Sequence, residues 1–400
     1  MLKVSGVAPG RRGGLRIAMI GQKGLPAAVG GIEHHVEEIG RRLAARGHEV
    51  TAFTRASYGR SSGSTYAGIH LRPAPTVGSK RLDAIVHSAS STALALSSGY
   101  DIFHYHALGP GLVAPVPRLL SSAGVVLTVH GLDHQRAKWG GGARAVLGVA
   151  HWMSGHVPDR TIVVSQSLQQ HYREVFGREC DYIPNGISRP GPAADGPVRD
   201  RGLAPGEYLL FVGRLVPEKG VDLLLRAYRG VPGGRRLVIV GDSSFTDAHV
   251  RVLQELAVAD PRVLFTGAVL GPDLASLYAH AKAFVQPSLL EGLPLTLLEA
   301  LSFGLPIVAS DIGPHVEVLG SAPAPGRWLF GSGDVSSLQR ALASALRGSD
   351  QDRAAAADLG EAMVARYDWD RVTDEVEQVY VELARRRSGA RRWATARSRA

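Results

Sequence analysis

Two successive series of short apolar segments, separated by longer amphipathic ones, constrain the fold of this chain more than any other feature. Each apolar segment has the length of a buried strand, and the first series is LRIAMIG (15–21), EVTAFT (49–54), DIFHYH (101–106), VVLTVHG (125–131) and RTIVVS (160–165). After the first of them, Ile32, Val36, Ile39 and Leu43 repeat at helical spacing. Strands that alternate with helices predict a parallel sheet with right-handed crossovers.

A second series follows a segment that has no apolar periodicity. Residues 187–207 contain four prolines and have the composition of an interdomain linker. The strands predicted after it are YLLFVG (208–213), RRLVIVGD (235–242), RVLFTG (262–267), AFVQPS (283–288) and PIVASD (306–311). We therefore predict an α/β protein with two Rossmann-like parallel-sheet domains, residues 1–186 and 187–369, followed by a helical segment.

Composition limits where the chain works and what it binds. No stretch reaches the ~18 uncharged apolar residues of a membrane span, the N-terminus lacks the order of a signal peptide, and the single cysteine, Cys180, excludes an internal disulfide. We therefore expect a cytoplasmic protein. The net charge of +9 fits nucleic acid, an anionic membrane or acidic small substrates. The basic tail, residues 389–400, is predicted to be disordered, with attraction to anionic lipid as the alternative.

Aromatic residues make up only 6% of the chain and are not interleaved with its basic runs. Single-stranded nucleic acid is commonly bound on aromatic platforms, and duplexes are read by helices in the groove. We therefore predict no nucleic-acid partner.

The stretch EGLPLTLLEA (291–300) combines two acids with a predicted helix N-terminus. Pro294 fits the first helical turn, and the partial positive charge of the helix end favours a diphosphate in front of it. The free amides expected to point at that anion are those of Leu293, Leu295 and Thr296. Glu299 can accept hydrogen bonds from ribose hydroxyls, and Glu291 from those of a second sugar. The alternative is an N-capping acid and a solvated helix acid.

Two cations follow the first strand of the second series. In VGRLVPEKG (212–220), Arg214 offers a planar fork of donors and Lys219 a compact charge. Both suit a leaving diphosphate, whose negative charge grows as a glycosidic bond breaks. The alternative is two surface charges at a strand end.

The first series has a glycine-rich loop at the corresponding place, GQKGLPAAVGGIE (21–33). Gly30 and Gly31 allow backbone amides to approach a phosphate or sugar closely. The loop is not G-x-G-x-x-G, and the next strand lacks a terminal acid, which counts against a nicotinamide-dependent dehydrogenase. Two such parallel sheets place a cleft between the carboxyl ends of their strands, where ligands bind. Glu33 either faces that cleft or caps the helix, and the sequence leaves both open.

Histidines and a D-x-D pair are the remaining candidates for chemistry. His130 ends a predicted strand, where it can bind a sugar hydroxyl or orient an acceptor, although a core role is the alternative. His104 and His106 share one strand face, but no third ligand lies at a recognisable spacing, so we predict no metal site. Asp368 and Asp370 are interpreted as helix caps.

Together these motifs resemble glycosyltransferase family 4, the retaining, nucleotide-sugar-dependent enzymes of the GT-B fold, over residues 15–385. The motifs that carry the resemblance are GGIE, TVHG, IPNG, VGRLVPEKG and above all EGLPLTLLEALSFGLPIVAS. The loop and first helix resemble the bacterial branch that builds capsular, exopolysaccharide or cell-wall glycans. The resemblance implies two domains that face each other across a cleft, with helix 370–388 packed back on the first.

The resemblance also implies a role for each matching residue. His130 would contact the transferred sugar, Arg214 and Lys219 the diphosphate, Glu291 the sugar hydroxyls, and Glu299 the ribose. The donor site would further include Gly30, Gly31, Gly292, Leu293, Pro294, Leu295 and Thr296, and the acceptor side Gly30, Gly31 and Glu33. No cofactor and no divalent metal are implied.

The resemblance implies a hexosyltransferase whose donor is a UDP- or GDP-linked sugar and whose acceptor is a glycan or a polyprenyl-linked lipid. Because the sequence identifies no carboxylate as a nucleophile beside the anomeric carbon, a front-face reaction is expected rather than a covalent intermediate. The basic residues outside the donor motifs predict contact with the inner face of the membrane. A sugar-nucleotide epimerase or a phosphorylase of the same fold is the nearest alternative, and a non-catalytic basic binding protein is the alternative of another class.

Overall fold

The computed structural model describes residues 14–27, 30–55, 63–77, 83–135, 141–242 and 247–397, with side chains up to residue 387. Its strands are β1 (Arg16–Ile20), β2 (Glu49–Arg55), β3 (Thr65–Tyr66), β4 (Ile69–Ala74), β5 (Ile102–His106), β6 (Gly124–Val129), β7 (Arg160–Val163), β8 (Asp181–Tyr182), β9 (Tyr208–Val212), β10 (Arg236–Val240), β11 (Val263–Gly267), β12 (Ala283–Gln286), β13 (Ile307–Ser310) and β14 (Arg327–Phe330). They form two sheets, so the predicted α/β class is confirmed.

The helices connect these strands in the predicted alternation. They are α1 (Gly31–Ala45), α2 (Asp83–Leu96), α3 (Leu108–Gly111), α4 (Pro115–Leu120), α5 (Gly141–His156), α6 (Gln166–Phe176), α7 (Gly196–Arg199), α8 (Val221–Arg229), α9 (Asp247–Ala257), α10 (Gly271–His280), α11 (Leu295–Ser302), α12 (Gly313–Leu319), α13 (Val335–Leu346), α14 (Asp350–Arg366) and α15 (Trp369–Arg397). Within the described ranges, each helix is too short or too polar to cross a lipid bilayer.

The second sheet has the strand order β11-β10-β9-β12-β13-β14, and its paired strands run parallel. The order reverses between β9 and β12, which are neighbours in the sheet although β10 and β11 lie between them in sequence. Ligands of such sheets bind beyond the carboxyl ends of the strands at this switch point. The two motifs predicted to bind the donor, VGRLVPEKG (212–220) and EGLPLTLLEA (291–300), lie in the segments that follow β9 and β12.

The first sheet has the order β3-β4-β2-β1-β5-β6-β7-β8, and β1 pairs in parallel with both β2 and β5. Strands β3 and β4 form an antiparallel pair that the sequence analysis did not predict. The reason is that β3 has only two residues, and β4 contains Pro73, a residue that disfavours a strand prediction. Pro73 lies beyond Ile69 and His70, the residues of β4 that pair with β3. Strand β14 was also not predicted, since its four residues, RWLF, are too few for a clear strand pattern.

Helix α8 shows how the core of the second sheet is built. Its Val221, Leu224, Leu225 and Tyr228 recur at the i, i+3, i+4, i+7 spacing of an apolar helix face, and all four are buried. They belong to one hydrophobic cluster with strand residues of β9, β10, β12 and β13. This packing fixes the segment before α8, which carries Arg214 and Lys219.

The chain divides into two compact units: Met1–Val129, Val149–Ile162 and Asp370–Ala400 form one, and His130–Gly148 and Val163–Trp369 the other. Compactness does not show whether a unit folds alone, so the domain boundary predicted at residue 186 stays a prediction. In the first unit, Tyr380 of α15 hydrogen-bonds His104 through its hydroxyl at 2.5 Å. Helix α15 continues to Arg397, through most of the segment expected to be disordered, because its Arg and Ala residues favour helix.

Candidate active site

The donor motifs meet at the switch point of the second sheet. The turn that holds Lys219 follows β9 and ends at Gly220, whose φ of 65° is in the left-handed region. A Cβ added at Gly220 would lie 2.2 Å from the carbonyl oxygen of Pro287, which follows β12. Only glycine fits there, and the close approach brings Lys219 beside the segment that carries Glu291.

Lys219 and Glu291 form an ion pair with 2.6 Å between Nζ and Oε1, and their side chains are 14% and 9% exposed. The same oxygen accepts hydrogen bonds from Gln286 Nε2 at 2.8 Å and from Ser288 Oγ at 2.7 Å. Burial raises the pKa of the Glu291 carboxyl, but the Lys219 ammonium, the His315 ring and these hydrogen bonds outweigh it and lower the pKa to about 2. Glu291 is therefore an ionised carboxylate with one oxygen fully engaged.

Side chains behind Glu291 hold it in position. Gln286, at the end of β12, is fully buried and accepts a hydrogen bond from the Thr296 hydroxyl at 3.1 Å, so it joins Glu291 to the first turn of α11. The Ser310 hydroxyl donates to the Ser288 carbonyl at 2.6 Å. The His315 ring is bonded through Nδ1 to the Ser310 carbonyl at 2.9 Å, and burial lowers its pKa to about 4. The sequence analysis missed these residues.

A pocket opens in front of this pair. Its lining residues are His130, Gly131, Leu132, Arg214, Glu218, Lys219, Leu290, Glu291, Gly292 and Leu293. A Cβ added at Gly292 would lie 2.0 Å from the carbonyl oxygen of His130, so the Glu291 turn and the His130 segment are in backbone contact. Arg214 is exposed at the pocket. The structure thus brings together six of the predicted residues: His130, Arg214, Lys219, Glu291, Gly292 and Leu293.

The start of α11 differs in detail from the expectation. The helix begins at Leu295, and Pro294 lies one residue before it rather than in the first turn. The Leu295 amide donates to the Leu293 carbonyl at 3.0 Å, so the expectation that it is free is wrong. Pro294, Leu295 and Thr296 do not line the pocket, although Thr296 contacts its wall through Gln286.

Glu299 lies in the second turn of α11, outside the pocket lining. Its Oε2 accepts a hydrogen bond from the Tyr278 hydroxyl at 3.1 Å. Burial raises the pKa of the Glu299 carboxyl to about 7, and the bond from Tyr278 offsets only part of that. The two acids of the motif therefore differ: Glu291 is held ionised and Glu299 titrates near neutrality.

The residues predicted for the acceptor side belong to the other unit. Gly30 has a φ of 122°, a backbone conformation that residues with a Cβ rarely adopt, so this position favours glycine. Gly31 is exposed at the start of α1. Glu33 is 6% exposed and accepts a hydrogen bond from the Lys23 amide at 3.0 Å, which ties the loop after β1 to α1. This contact supports a structural role for Glu33, in which its side chain holds the loop after β1 against α1.

His104 is a core residue. Both ring nitrogens are engaged, Nδ1 with the Tyr380 hydroxyl at 2.5 Å and Nε2 with Thr128 Oγ1 at 2.7 Å, and burial lowers its pKa well below the ordinary value. The His106 ring lies beside it, 4.1 Å between centroids, as the shared strand face predicted.

Comparison with known proteins adds two family matches. A family model described as Glycosyltransferase Family 4 matches residues 29–189, and one described as Glycosyl transferases group 1 matches residues 206–348. The D-inositol 3-phosphate glycosyltransferase of Frankia alni is 30% identical over 325 residues, which cover 71% of this chain and 78% of that protein. A GDP-mannose-dependent alpha-(1-6)-phosphatidylinositol monomannoside mannosyltransferase of Mycobacterium tuberculosis is 27% identical over 327 residues, 74% of this chain and 80% of that protein.

Solved structures with the same fold include sucrose-phosphate synthase from Thermosynechococcus elongatus, with a TM-score of 0.78 at 24% identity over 92% of this chain and 99% of that one. HepE of Anabaena in complex with UDP-glucose has a TM-score of 0.77 at 19% identity over 92% and 100%. These likenesses confirm the predicted GT-B fold.

Proposed function

The chain belongs to glycosyltransferase family 4, and on that premise we propose that it is a retaining hexosyltransferase which uses a nucleoside-diphosphate sugar. The acceptor is a glycan or a polyprenyl-linked lipid. The observation that carries the proposal is the buried Lys219–Glu291 pair at the switch point of the second sheet, with Arg214 exposed at the same pocket. In a nucleotide sugar, the sugar and the diphosphate share one oxygen atom. The acid that binds the sugar and the cations that bind the diphosphate must therefore lie side by side.

The diphosphate is bound by the cations of the pocket. Arg214 presents several N–H donors in one plane, and Lys219 adds a compact charge. As the bond to the sugar breaks, negative charge grows on the β-phosphate, and fixed cations stabilise it without reorganisation. Because protein cations serve this role, we propose that the reaction needs no cofactor and no divalent metal.

The transferred sugar is bound by Glu291. Among the described residues, the hydrogen bonds of this carboxylate end on Oε1, which leaves Oε2 for a sugar hydroxyl. A carboxylate that accepts three hydrogen bonds is a weak nucleophile, so a covalent intermediate on Glu291 is disfavoured. In the front-face alternative, the anomeric carbon–oxygen bond breaks toward the phosphate and the acceptor oxygen bonds the same face. The acceptor proton passes to the leaving phosphate oxygen.

The names of related proteins support a nucleotide-linked donor. One relative is GDP-mannose-dependent, and a protein of the same fold was solved with UDP-glucose, so UDP and GDP both remain candidates. The test is incubation with a panel of UDP- and GDP-hexoses and candidate lipid-linked acceptors, with NMR of the product. Retention requires the anomeric configuration of the donor in the product, and turnover that persists in excess EDTA is expected. An inverted product would contradict the retaining reaction. Turnover that is lost in EDTA would contradict the proposal that no divalent metal is needed.

Donor chemistry without transfer would favour another reaction. Epimerised nucleotide sugar identifies an epimerase, and sugar phosphate formed from a glycan and inorganic phosphate identifies a phosphorylase. Binding of nucleotide with no product under any of these conditions would favour a non-catalytic protein.

We also propose that the chain works at the inner, cytoplasmic face of the membrane. Four of the basic residues on which this prediction rests, Lys80, Arg81, Arg136 and Lys138, lie outside the described residues. Arg144 is exposed on α5, and Leu119 and Leu120 at the end of α4 are 80% and 73% exposed. Exposed apolar side chains combined with basic charge favour an anionic lipid surface.

A further inference from the structure

One carboxyl group in the pocket is not used by the proposed mechanism. Glu218 lies in the short 3₁₀ turn Pro217–Lys219 and is 7% exposed. Its main chain has a structural task, since its carbonyl accepts a hydrogen bond from the Leu289 amide at 2.8 Å. Its side chain has none: both carboxyl oxygens are buried, and neither has a hydrogen-bond partner in the described part of the chain.

Glu291, an acid of the same pocket, has the hydrogen-bond partners that the Glu218 side chain lacks within the described ranges. The two acids line the same pocket, and Lys219, which follows Glu218 in sequence and also lines the pocket, bonds to Glu291. Glu291 also receives hydrogen bonds from two neutral side chains, whereas Glu218 receives none from the described residues. A buried carboxyl group without partners costs free energy. A ligand that brings hydrogen-bond donors into the pocket would remove that cost.

The neighbouring groups decide which part of the ligand brings those donors. The pocket's cations attract the anionic diphosphate, whereas a carboxyl group would repel it. Beyond its diphosphate, a nucleotide sugar carries hydroxyl donors on its two sugars and N–H donors on its base. Glu291, which lines the same pocket, is proposed to bind hydroxyls of the transferred sugar, so these are the donors expected beside Glu218. We propose that Glu218 is a specificity-determining residue that accepts hydrogen bonds from hydroxyls of the transferred sugar. This inference rests on the proposed function, because it needs a nucleotide sugar as the ligand.

Two properties of a Glu218→Met variant test the proposal together. Methionine has a similar length and no polar head, so it removes the unpartnered oxygens without opening a large cavity. In the absence of ligand, we expect the melting temperature to be unchanged or raised, because an unsatisfied group is lost. Affinity for the nucleotide sugar is expected to fall about tenfold, while affinity for the free nucleoside diphosphate stays unchanged.

The measurement is isothermal titration of wild type and variants with UDP and UDP-glucose and with GDP and GDP-mannose, beside thermal melts without ligand. Glu218→Gln keeps one acceptor oxygen and should lose less affinity than Glu218→Met. Glu255→Gln, an exposed acid on α9, is the matched control and should match wild type in every measurement. A titration with donors that each lack one hydroxyl then identifies the contact. The donor that lacks the hydroxyl bound by Glu218 should bind Glu218→Met and wild type with equal affinity.

Three outcomes overturn the inference. A lower melting temperature for Glu218→Met would make Glu218 a structural residue. Equal losses of affinity for nucleotide and nucleotide sugar would assign it to the diphosphate or the local backbone, and unchanged affinity for both would remove it from the site. Failure of wild type to bind any of these four ligands would instead count against the proposed function, so the two failures are distinguishable.

Discussion

At the scale of single residues, we expect the Lys219–Glu291 pair to contribute to both stability and turnover. Lys219→Ala leaves the buried, ionised Glu291 without its cation, and we expect the free energy of unfolding to fall by about 3 kcal/mol. Turnover is expected to fall about 100-fold or more, as for the loss of an oxyanion donor. Urea unfolding and steady-state kinetics measure the two effects.

A double variant separates those effects. Lys219→Met with Glu291→Gln removes both charges, so most of the lost stability should return while turnover stays low. Arg226→Ala, which breaks an exposed pair with Asp222 at 3.9 Å, is the control and should change stability by about 0.5 kcal/mol or less. Near-normal turnover in folded Lys219→Ala would remove Lys219 from the mechanism.

Glu299 predicts a pH dependence of stability. Its pKa is about 7 in the folded protein against an ordinary value of 4.5, so between these values the folded state keeps a proton that the unfolded state has lost. Glu299 therefore lowers stability progressively as pH rises from 4.5 to 7. Glu299→Gln stays neutral, and its unfolding free energy relative to wild type should rise by about 3 kcal/mol from pH 4 to pH 8.

Urea unfolding of both proteins at several pH values checks this difference, with Glu255→Gln on the exposed face of α9 as the control. A difference between Glu299→Gln and wild type that does not change with pH would contradict the raised pKa. A difference of the opposite slope would place Glu299 in an environment that favours its charged form.

At the scale of secondary-structure elements, the turn before α11 depends on Gly292. An alanine Cβ there would lie 2.0 Å from the backbone oxygen of His130, which cannot rotate away. Gly292→Ala should lower the free energy of unfolding by about 1–3 kcal/mol and displace Glu291 from the pocket. Donor titration should then show a loss of affinity as well.

Gly196→Ala is the matched control in the same unit, since a Cβ at that position meets nothing within 4 Å. It should leave both stability and donor affinity close to wild type. A Gly292→Ala variant as stable as Gly196→Ala would show that the two segments separate easily.

The sequence could predict some of the elements that build the site but not the contacts between them. The strands β9 and β12 and the motifs after them could be predicted, because a buried parallel strand and a glycine-rich turn leave local patterns. Gln286 gave a weak signal, a polar residue in an otherwise apolar strand, but its bonds to Glu291 and Thr296 depend on the fold. Glu218 gave none, because its lack of partners is visible only when every neighbour is in place.

At the scale of the whole molecule, the strand order explains why the family motifs lie where they do. The second sheet reverses between β9 and β12, so the turns that carry Lys219 and Glu291 follow strands that are adjacent in space, although 70 residues, 213–282, separate those strands in sequence. The contact depends on the topology, and the local sequence of either turn could not predict it. Family resemblance supplied that information at the sequence level.

The last prediction concerns the whole surface, with its net charge of +9. We expect the protein to float with vesicles that contain anionic lipid at low salt, and to be released as salt screens the charge. Replacing the exposed Leu119 and Leu120 by glutamine should weaken flotation several-fold at constant salt, because the apolar contribution is lost. Val258→Gln, at an 83% exposed position of the other unit, is the control and should bind like wild type. Flotation that fails at low salt, or that is equal with neutral and anionic vesicles, would contradict a membrane-bound site of action.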